Sequence, residues 1–540
     1  MPEYLSPGVY VQEVNSGTRP IEGVGTAMAA FVGFAPDGPT NRPMLITNWQ
    51  QYVETFGATE AGGARNPHIN GAYLSHAVYG YFLNGGGRCY VARVTADEAR
   101  SNGKGATLKA SSTQLIGRGG RTLPSLTAAA RTSQSQDIDL EVAPPTADDA
   151  PEGTFTLKVK SGGAEEVYEN VTLAKRGGKG GGQESVRNVV ETVNQTSKLI
   201  TLTELPGQGT LAERTPNVGT FSIKAPAATT TTMPQVRSTH FIGDAAERSG
   251  IEGLEVADDV TMVCAPDLYS AFPLGPDASD AEKRDALDKV KAVQLAMIAH
   301  AERMGDRIAI IDSPPNLKPQ EVKRWRQVDT NFDSKYAAMY YPWITVDGPD
   351  GQAIDVPPCG HIAGIYARSD NERGVHKAPA NEVIRGALSA EAQITKGEQD
   401  VLNPIGVNCI RSFVGRGLRV WGARTLSSDP AWRYVSVRRL FNYVEESIDR
   451  GTQWIVFEPN DADLWARVRR DVTAFLTGCW RDGMLFGATP DEAFFVKCDA
   501  ENNPADVRDR GQLMIDVGLA PVKPAEFVVF RFSQYAGGGA

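Results

Sequence analysis

The sequence has few cysteines, and their spacing argues against metal and redox chemistry. Six cysteines occur in 540 residues, at positions 89, 264, 359, 409, 479 and 498, and none forms a CxxC pair. Most of them lie in apolar runs, such as VTMVCAP around Cys264. We therefore expect reduced, buried cysteines that pack as small hydrophobic residues, and we expect no metal or other cofactor.

The sequence also lacks the features of membrane, secreted and nucleic-acid-binding proteins. It has no apolar run of about 18 residues, which a membrane-spanning helix needs, and its start, MPEYLSPGVY, does not resemble a signal peptide. With 55 basic and 65 acidic residues the net charge is −10, whereas a general nucleic-acid binder would be basic. We expect a chain made in the cytoplasm, with no membrane insertion and no direct nucleic-acid binding.

Catalytic motifs are missing as well, because no HExxH, GxSxG or Walker pattern is present. An enzyme would depend on Asp267 and Asp312, which end two predicted strands where open α/β sheets bind ligands, together with His361. The simpler interpretation is that aspartate near proline at a strand end is common in loops. An α/β hydrolase-like or nucleotide-binding enzyme with a β-rich insertion is the alternative function. A surface-layer or adhesin-like protein is a third, disfavoured by the missing signal peptide.

The patterns that are present predict a multidomain α/β (mixed α+β) protein. In residues 25–100 and 256–368, continuous apolar strands alternate with helices, as in a layered α/β sheet. Residues 101–240 are rich in Gly, Ser, Thr and Ala and contain alternating runs with a hairpin signal at 161–163, which indicates a β-rich insertion. Towards the end we predict helices at 436–448 and 461–477, a strand QWIVFEP (453–459) between them, and late strands at 493–498 and 513–521.

Both ends of the chain carry a predicted strand that has no evident partner. In PGVYVQEVNSG (7–17), Val9 and Val11 share one face and Tyr10 and Val14 the other. In EFVVFRFSQ (526–534), the alternating apolar residues are Phe527, Val528, Val529, Phe530 and Phe532. An unpaired apolar strand would make a monomer prone to aggregate, so we expect both strands to pair with another chain.

Arginines are concentrated in residues 411–439, where seven occur against one acid, Asp429. Arg438 and Arg439 would lie in the first turn of a helix capped by Ser436, a placement that opposes the helix dipole. One interpretation is a basic face that contacts a tube or a neighbouring subunit, and the other is a solvated face with intramolecular ion pairs. The candidates for the basic face are Arg411, Arg416, Arg419, Arg433, Arg438 and Arg439.

Several segments together resemble the tail sheath proteins of contractile bacteriophages and of related extracellular injection systems. The resemblance covers about the first hundred and the last hundred and seventy residues, and 101–240 matches only as a variable insertion. The segments that carry it are YLSPGVYVQEV (4–14), 31–57, 71–94, LNPIGVNCIRSF (402–413), VWGARTL (420–426), 432–448, WIVFEPNDADLWARV (454–468) and 518–534.

The resemblance implies a structural subunit and not an enzyme. Such subunits stack as hexameric rings around an inner tube, contract to drive the tube through a target envelope, and donate their terminal strands to neighbouring sheets by β-augmentation. The implied partners are further copies of the chain, the inner tube protein, and baseplate and terminal cap proteins, in a phage tail or a phage-tail-like particle assembled in the bacterial cytoplasm. The implied organisation is an N-terminal arm (1–24), sheath core (25–100), an outward-facing insertion (101–240), an α/β domain (241–368), a tube-facing domain (369–517) and a C-terminal arm (518–540).

Overall fold

The computed structural model describes residues 20–531, apart from 41, 60–63, 96–111, 119–123, 131–136, 147–149, 162–163, 175–186, 198, 206–209, 224–232 and 276. The strands in the described residues are β1 (Ala29–Gly33), β2 (Met44–Ile46), β3 (Ala58–Thr59), β4 (Arg65–Asn66), β5 (Cys89–Arg93), β6 (Ser112–Ile116), β7 (Pro124–Ala130), β8 (Ile138–Ala143), β9 (Thr154–Ser161), β10 (Ala164–Thr172), β11 (Arg187–Asn188), β12 (Ile200–Glu204), β13 (Gly219–Ile223), β14 (Met262–Cys264), β15 (Ile308–Asp312), β16 (Ala337–Tyr341), β17 (Ile344–Asp347), β18 (Ala353–Val356), β19 (Glu382–Val383), β20 (Ala387–Ala390), β21 (Val407–Phe413), β22 (Gly417–Val420), β23 (Phe494–Lys497) and β24 (Asp516–Leu519).

Helices occur both between the strands and in the C-terminal part of the chain. They are α1 (Trp49–Phe56), α2 (Leu74–Leu83), α3 (Val189–Thr196), α4 (Leu211–Arg214), α5 (Ser238–Ile242), α6 (Leu268–Ala271), α7 (Asp280–Met304), α8 (Pro319–Arg324), α9 (Cys359–Arg373), α10 (Lys396–Leu402), α11 (Val435–Thr452), α12 (Ala462–Arg481), α13 (Pro490–Ala493) and α14 (Ala505–Asp509).

A nine-stranded sheet forms the body of the described structure, in the order β19-β22-β21-β16-β15-β14-β1-β5-β2. Its six central strands, from β21 to β5, are parallel, and antiparallel strands complete both edges. β1 and β15 are buried along their whole length, as expected for parallel strands covered on both faces. The predicted α/β fold is confirmed.

Helices cover both faces of this sheet. On one face, α2 and α9 pack together over β1, β14 and β15, and on the other α7 packs on β15 and α5. Gly360 of α9 permits the first contact, because a Cβ there would lie 2.3 Å from the carbonyl oxygen of Ala77 in α2. The close approach of two helix backbones therefore depends on a glycine.

The described part of residues 112–223 forms a β-rich unit with its own core. Two sheets, β11-β10-β9-β8-β13 and β12-β7-β6, enclose a cluster of buried residues from Leu115 to Ile223. The hairpin predicted at 161–163 is confirmed, since Ser161 of β9 pairs with Ala164 of β10. The unit is inserted between β5 and β14, both of which pair with β1.

A third cluster of buried residues lies under α11 and α12 and defines a C-terminal unit that also contains the two-stranded sheet β23–β24. Asp461 caps α12 by accepting a hydrogen bond from the Leu464 amide at 2.9 Å. The strand predicted at QWIVFEP is wrong. α11 continues to Thr452, Gln453–Ile455 form a single 3₁₀ turn, and Val456 and Phe457 are exposed in the loop before α12.

Candidate assembly site

The two aspartates that an enzyme would use bind backbone amides instead. Asp267 accepts hydrogen bonds from the amides of Phe34 at 2.6 Å, Leu74 at 3.2 Å, and Tyr73. Asp312 accepts one from the Cys359 amide at 3.0 Å. Leu74 and Cys359 are the first residues of α2 and α9, so each carboxylate satisfies amides at a helix N-terminus from a distant strand end. Burial raises the pKa of Asp267 to about 6 and of Asp312 to about 7.

His361 lies on α9 and is buried where α9 packs against α2. Its ring lies against Gly80 of α2, where a Cβ would approach it to 2.3 Å, and its Nδ1 has no hydrogen-bond partner in the described structure. Burial, together with His76, lowers the pKa of His361 to about 4, which makes it a neutral core residue. In the described residues we find no group of three or more His, Cys, Asp or Glu side chains able to hold a metal ion. All six cysteines are reduced and buried, as predicted.

Arg438 and Arg439 are buried, so their assignment to an exposed basic face is corrected. Arg438 is 1% exposed and Arg439 is 3% exposed. Arg438 donates to Glu445 Oε2 at 2.8 Å and stacks on Trp432, while Arg439 binds both carboxylate oxygens of Asp370. Intramolecular ion pairs neutralise both charges, as the alternative interpretation held, but the two arginines are buried and do not form the solvated face that it expected. Ser436 is not the cap, because α11 begins at Val435 after Tyr434.

The other arginine candidates lie nearer the surface. Arg411 is half-buried and donates to the Ile394 carbonyl at 3.0 Å. Arg416 and Arg419 lie on the hairpin β21–β22 and both bind Asn381, and Arg416 also stacks on Phe413 and Trp421. Arg433 is exposed. A contact between these four arginines and a tube or neighbour stays a prediction.

The C-terminal arm leaves the body at a defined residue, Glu526. Both Arg424 and Tyr434 donate to its carboxylate, at 2.7–2.8 Å and 3.0 Å, and Asn403 Nδ2 donates at 2.7 Å. Burial raises the pKa of Glu526, but these three partners outweigh it and hold the pKa below its usual value. Phe527, Val528, Val529 and Phe530 follow, each about 70% exposed or more, and residues 527–531 form no strand within the chain. Phe532 lies outside the described residues.

The N-terminal arm is bound to the body from residue 21 onward. Ile21 is buried in the C-terminal cluster, and the Val24 amide donates to Ser447 Oγ of α11 at 3.1 Å. The Thr26 hydroxyl donates to Asp370 at 2.6 Å. The candidate strand residues Val9, Tyr10, Val11 and Val14 lie outside the described residues.

One edge of the sheet β23–β24 is open in the described structure. Phe495 pairs with Gly518, and the Ala520 amide donates to the Ala493 carbonyl at 2.8 Å. Hydrogen-bonding direction alternates along an antiparallel strand, so the main-chain groups of Val517 and Leu519 point away from β23. Within the described part of the chain no strand lies beside them. An incoming strand could therefore pair with this edge.

The sequence interpretation missed Glu526 and Phe457. Glu526 directly precedes an apolar strand and could have been noticed as its polar boundary, but its partners lie 92–123 residues away. Phe457 is fully exposed with a φ of 68°, a left-handed conformation that is uncommon for an aromatic residue. No sequence signal marked it, since it lay inside an apparent apolar strand.

Two family models match adjoining segments of the chain. The phage tail sheath protein central domain matches residues 283–426, and the phage tail sheath C-terminal domain matches residues 427–534. The boundary between them falls just after Arg424 and before Tyr434. The two matches together contain β24 and the described part of the C-terminal arm.

Similar curated proteins are tail sheath proteins. The chain is 24% identical to that of Burkholderia phage BcepMu over 97% of this chain and 95% of the relative. It is 31% identical to a putative prophage major tail sheath protein of Pseudomonas aeruginosa over 45% of this chain and 61% of the relative. It is 29% identical to the tail sheath protein of Vibrio phage KVP40 over 33% of this chain and 26% of the relative. The chain thus spans less than two thirds of these last two relatives.

Similar solved structures share the fold over almost the whole chain. The anti-feeding prophage helical sheath in its contracted state has a TM-score of 0.55 at 23% identity and covers 98% of this chain and 100% of that one. The PVC sheath complex of an extracellular contractile injection system, also contracted, has a TM-score of 0.53 at 22% identity over 99% of both chains. None of the helices in the described residues is long and apolar enough to cross a bilayer.

Proposed function

This chain belongs to the contractile tail sheath family, a family of structural proteins, and from that premise we propose how it assembles and acts. We propose that its subunits polymerise as stacked hexameric rings around an inner tube. The polymer contracts and drives the tube through a target envelope. It forms part of a phage tail or of a phage-tail-like particle, is assembled in the bacterial cytoplasm, and contacts baseplate and terminal cap proteins. The enzyme alternative has no support, because both aspartates bind backbone amides.

The observation that carries the proposal is the open edge of β24 together with an exposed apolar arm. The described part of the arm exposes four large apolar side chains from Phe527 to Phe530. A two-stranded sheet is marginal alone and gains stability from further strands. Main-chain hydrogen bonds to the edge at Val517 and Leu519 would link one subunit to the next, and a head-to-tail contact that does not close generates a helical filament.

The domain roles follow from this arrangement. The arms (1–24 and 518–540) link neighbouring subunits, and the C-terminal domain (369–517) faces the inner tube, with Arg416, Arg419 and Arg433 as its accessible basic side chains. The inserted unit within 101–240 faces outward, where its size does not disturb the polymer. The extended polymer is held by kinetic barriers, and contraction releases free energy as sheath bodies bury new surface.

Electron microscopy of the purified full-length protein tests the proposal directly. We expect hollow, striated tubes at high protein concentration, and discrete globular particles would contradict it. Val517→Pro tests the edge, because proline removes the amide that points to the incoming strand yet is tolerated in an edge strand. The variant should remain folded and form no tubes, whereas the matched control Val517→Thr, which keeps the amide, should form them. Normal tubes from Val517→Pro would exclude the edge of β24 as the linking site.

A further inference from the structure

One short segment, residues 424–439, which we call the arm bridge, binds both Glu526 of the C-terminal arm and Thr26, two residues after the N-terminal arm (1–24). At one end of the bridge, Arg424 donates from Nε and Nη2 to the two carboxylate oxygens of Glu526, at 2.8 and 2.7 Å. Tyr434 adds its hydroxyl to the same carboxylate, and Arg424 and Tyr434 face each other in an antiparallel bridge. The C-terminal arm is therefore held by a bidentate, charge-assisted contact directly before its exposed residues.

At the other end of the arm bridge, Arg439 binds Thr26, which closely follows the N-terminal arm. Its Nη2 donates to the Thr26 carbonyl at 2.8 Å, and the same guanidinium binds both oxygens of Asp370 at 2.8 and 2.5 Å. Thr26 completes the group by donating its hydroxyl to Asp370. Arg439 and Asp370 are each 3% exposed at the side chain. One buried guanidinium thus joins Thr26, α9 and α11.

The segment between these two contacts is built rigidly into the body. The Leu426 amide donates to the Ala337 carbonyl of β16 at 2.9 Å, and Arg326 donates to the Leu426 carbonyl at 2.9 Å. The Thr425 amide donates to the Arg433 carbonyl at 2.8 Å, so the loop closes on itself before α11 begins. The two ends of the segment, 424–426 and 435–439, are buried, while 428–431 and Arg433 are exposed, so force would cross between the ends through the Thr425–Arg433 hydrogen bond and not along the loop.

We propose that the arm bridge carries tension between neighbouring subunits. This inference rests on the proposed function, in which each arm is paired with another copy. Force that arrives through the N-terminal arm meets the contacts of Ile21 and Val24 first and then that of Thr26, crosses the bridge from Arg439 to Arg424, and leaves through Glu526 into the C-terminal arm. The inserted unit lies outside this path. The sheet supports the path at both ends, since Thr261 Oγ1 donates to the Thr26 carbonyl at 2.7 Å and the Leu426 amide binds β16.

Lysine substitutions test whether force passes through the arm bridge, because lysine keeps the positive charge but cannot form the planar bidentate contact of arginine. We would assemble tubes from Arg424→Lys, Arg439→Lys and the double variant and measure their breakage rate under fixed shear. Arg368→Lys is the matched control. It replaces a buried arginine of α9 that lies outside the arm bridge and donates to the carbonyls of Asn84 at 3.1 Å and Val383 at 2.8 Å, neither of which belongs to an arm.

We expect each single arm variant to break about tenfold faster than the wild type, the factor that loss of one charge-assisted hydrogen bond implies. The control should break at the wild-type rate. For two links in series, either of which can break alone, the breakage rates add, so the double variant should break only about twice as fast as either single variant, whereas two contacts that must break together in one step would multiply to about a hundredfold. A hundredfold effect, or arm variants that match the control, would overturn the inference.

Hydrogen exchange of the soluble subunits gives a second readout that does not require tubes. Arg439→Lys should speed exchange in residues 20–28 and Arg424→Lys in residues 522–526, and Arg368→Lys should affect neither segment. If a lysine variant does not fold, Thr26→Val would replace Arg439→Lys and Tyr434→Phe would replace Arg424→Lys. Each of these substitutions removes one hydroxyl hydrogen bond and leaves every charge in place. If the wild type forms no tubes, the proposed function fails. If the wild type forms tubes but the variants behave alike, only the arm bridge fails.

Discussion

The parallel sheet and the C-terminal unit differ in how their strand edges and polar groups are satisfied. In the sheet, strands such as β15 are buried throughout, helices cover both faces, and Asp267 and Asp312 satisfy helix amides from within the chain. In the C-terminal unit, the two-stranded sheet β23–β24 leaves one edge open, and Phe486, Phe495 and Phe527 are each more than half exposed. The comparison shows a parallel sheet whose polar groups are satisfied within the chain and a C-terminal unit that leaves a sheet edge open in the described residues, the edge at which we propose that a neighbour binds.

Removing an arm should give the largest effect, and only on assembly. A chain that ends at Glu526 keeps the contacts of Glu526 with Arg424, Tyr434 and Asn403, and the described residues that it loses, 527–531, are exposed. We expect the protein concentration needed for tubes to rise at least about a hundredfold, with an unchanged melting temperature. Removal of residues 1–17 should act in the same way. Light scattering measures assembly, and removal of residues 536–540 alone is the control. Normal tubes from either truncation would mean that the arms do not link subunits.

A change in the body should act on folding. Gly360→Ala places a methyl group against the backbone of Ala77, between α2 and α9. We expect it to lower the free energy of unfolding by about 3 kcal/mol, since neither helix backbone can move without disturbing the sheet. Urea unfolding measures the loss. Gly397→Ala in α10 is the control, because a Cβ there meets nothing within 4 Å, and it should be neutral or slightly stabilising. Equal effects of the two changes would show that the helix contact is not tight.

Acid should remove the stabilising contribution of the buried neutral histidines, while Asp267 and Asp312 act in the opposite direction, because their raised pKa values let the folded chain bind protons before the unfolded chain. Burial lowers the pKa of both His76 and His361 to about 4, so between about pH 6.5 and 4 the unfolded chain binds protons that the folded chain does not. The contribution of each histidine is therefore present above pH 6.5 and is lost as the pH falls to 4. We expect a loss on the order of 2 kcal/mol from His361. Urea unfolding at several pH values should show a shallower dependence in His361→Gln, and identical slopes would contradict the assignment.

The smallest expected effect comes from the strained loop of the C-terminal unit. Phe457 is exposed and has a φ of 68°, so Phe457→Gly relieves a left-handed conformation without removing a buried side chain. We expect the soluble subunit to gain about 0.5 kcal/mol in free energy of unfolding. Phe486→Gly is the control, because Phe486 is also exposed but is not among the residues with positive φ, and it should lose a similar amount. Equal losses in both variants would show that the conformation at residue 457 carries no strain.

Much of the body could be predicted from local pattern. The helices predicted at 436–448 and 461–477 are α11 and α12, and the hairpin predicted at 161–163 joins β9 and β10. The strand predicted at 453–459 failed for a physical reason. Its apolar, β-branched residues fit a strand, but α11 continues to Thr452 and leaves only a short, exposed link to α12.

The sequence by itself determined the periodic elements, the β-rich insertion and the apolar terminal segments, because these depend on the spacing of neighbouring residues. Only the tertiary structure decided which charges are buried and where the arms are held. Arg439 pairs with Asp370, 69 residues away, and binds the carbonyl of Thr26, 413 residues away. Glu526 meets Arg424 at a separation of 102 residues. Such contacts leave no local pattern, since the cost of burying each charge is offset by a partner that only the folded chain brings close.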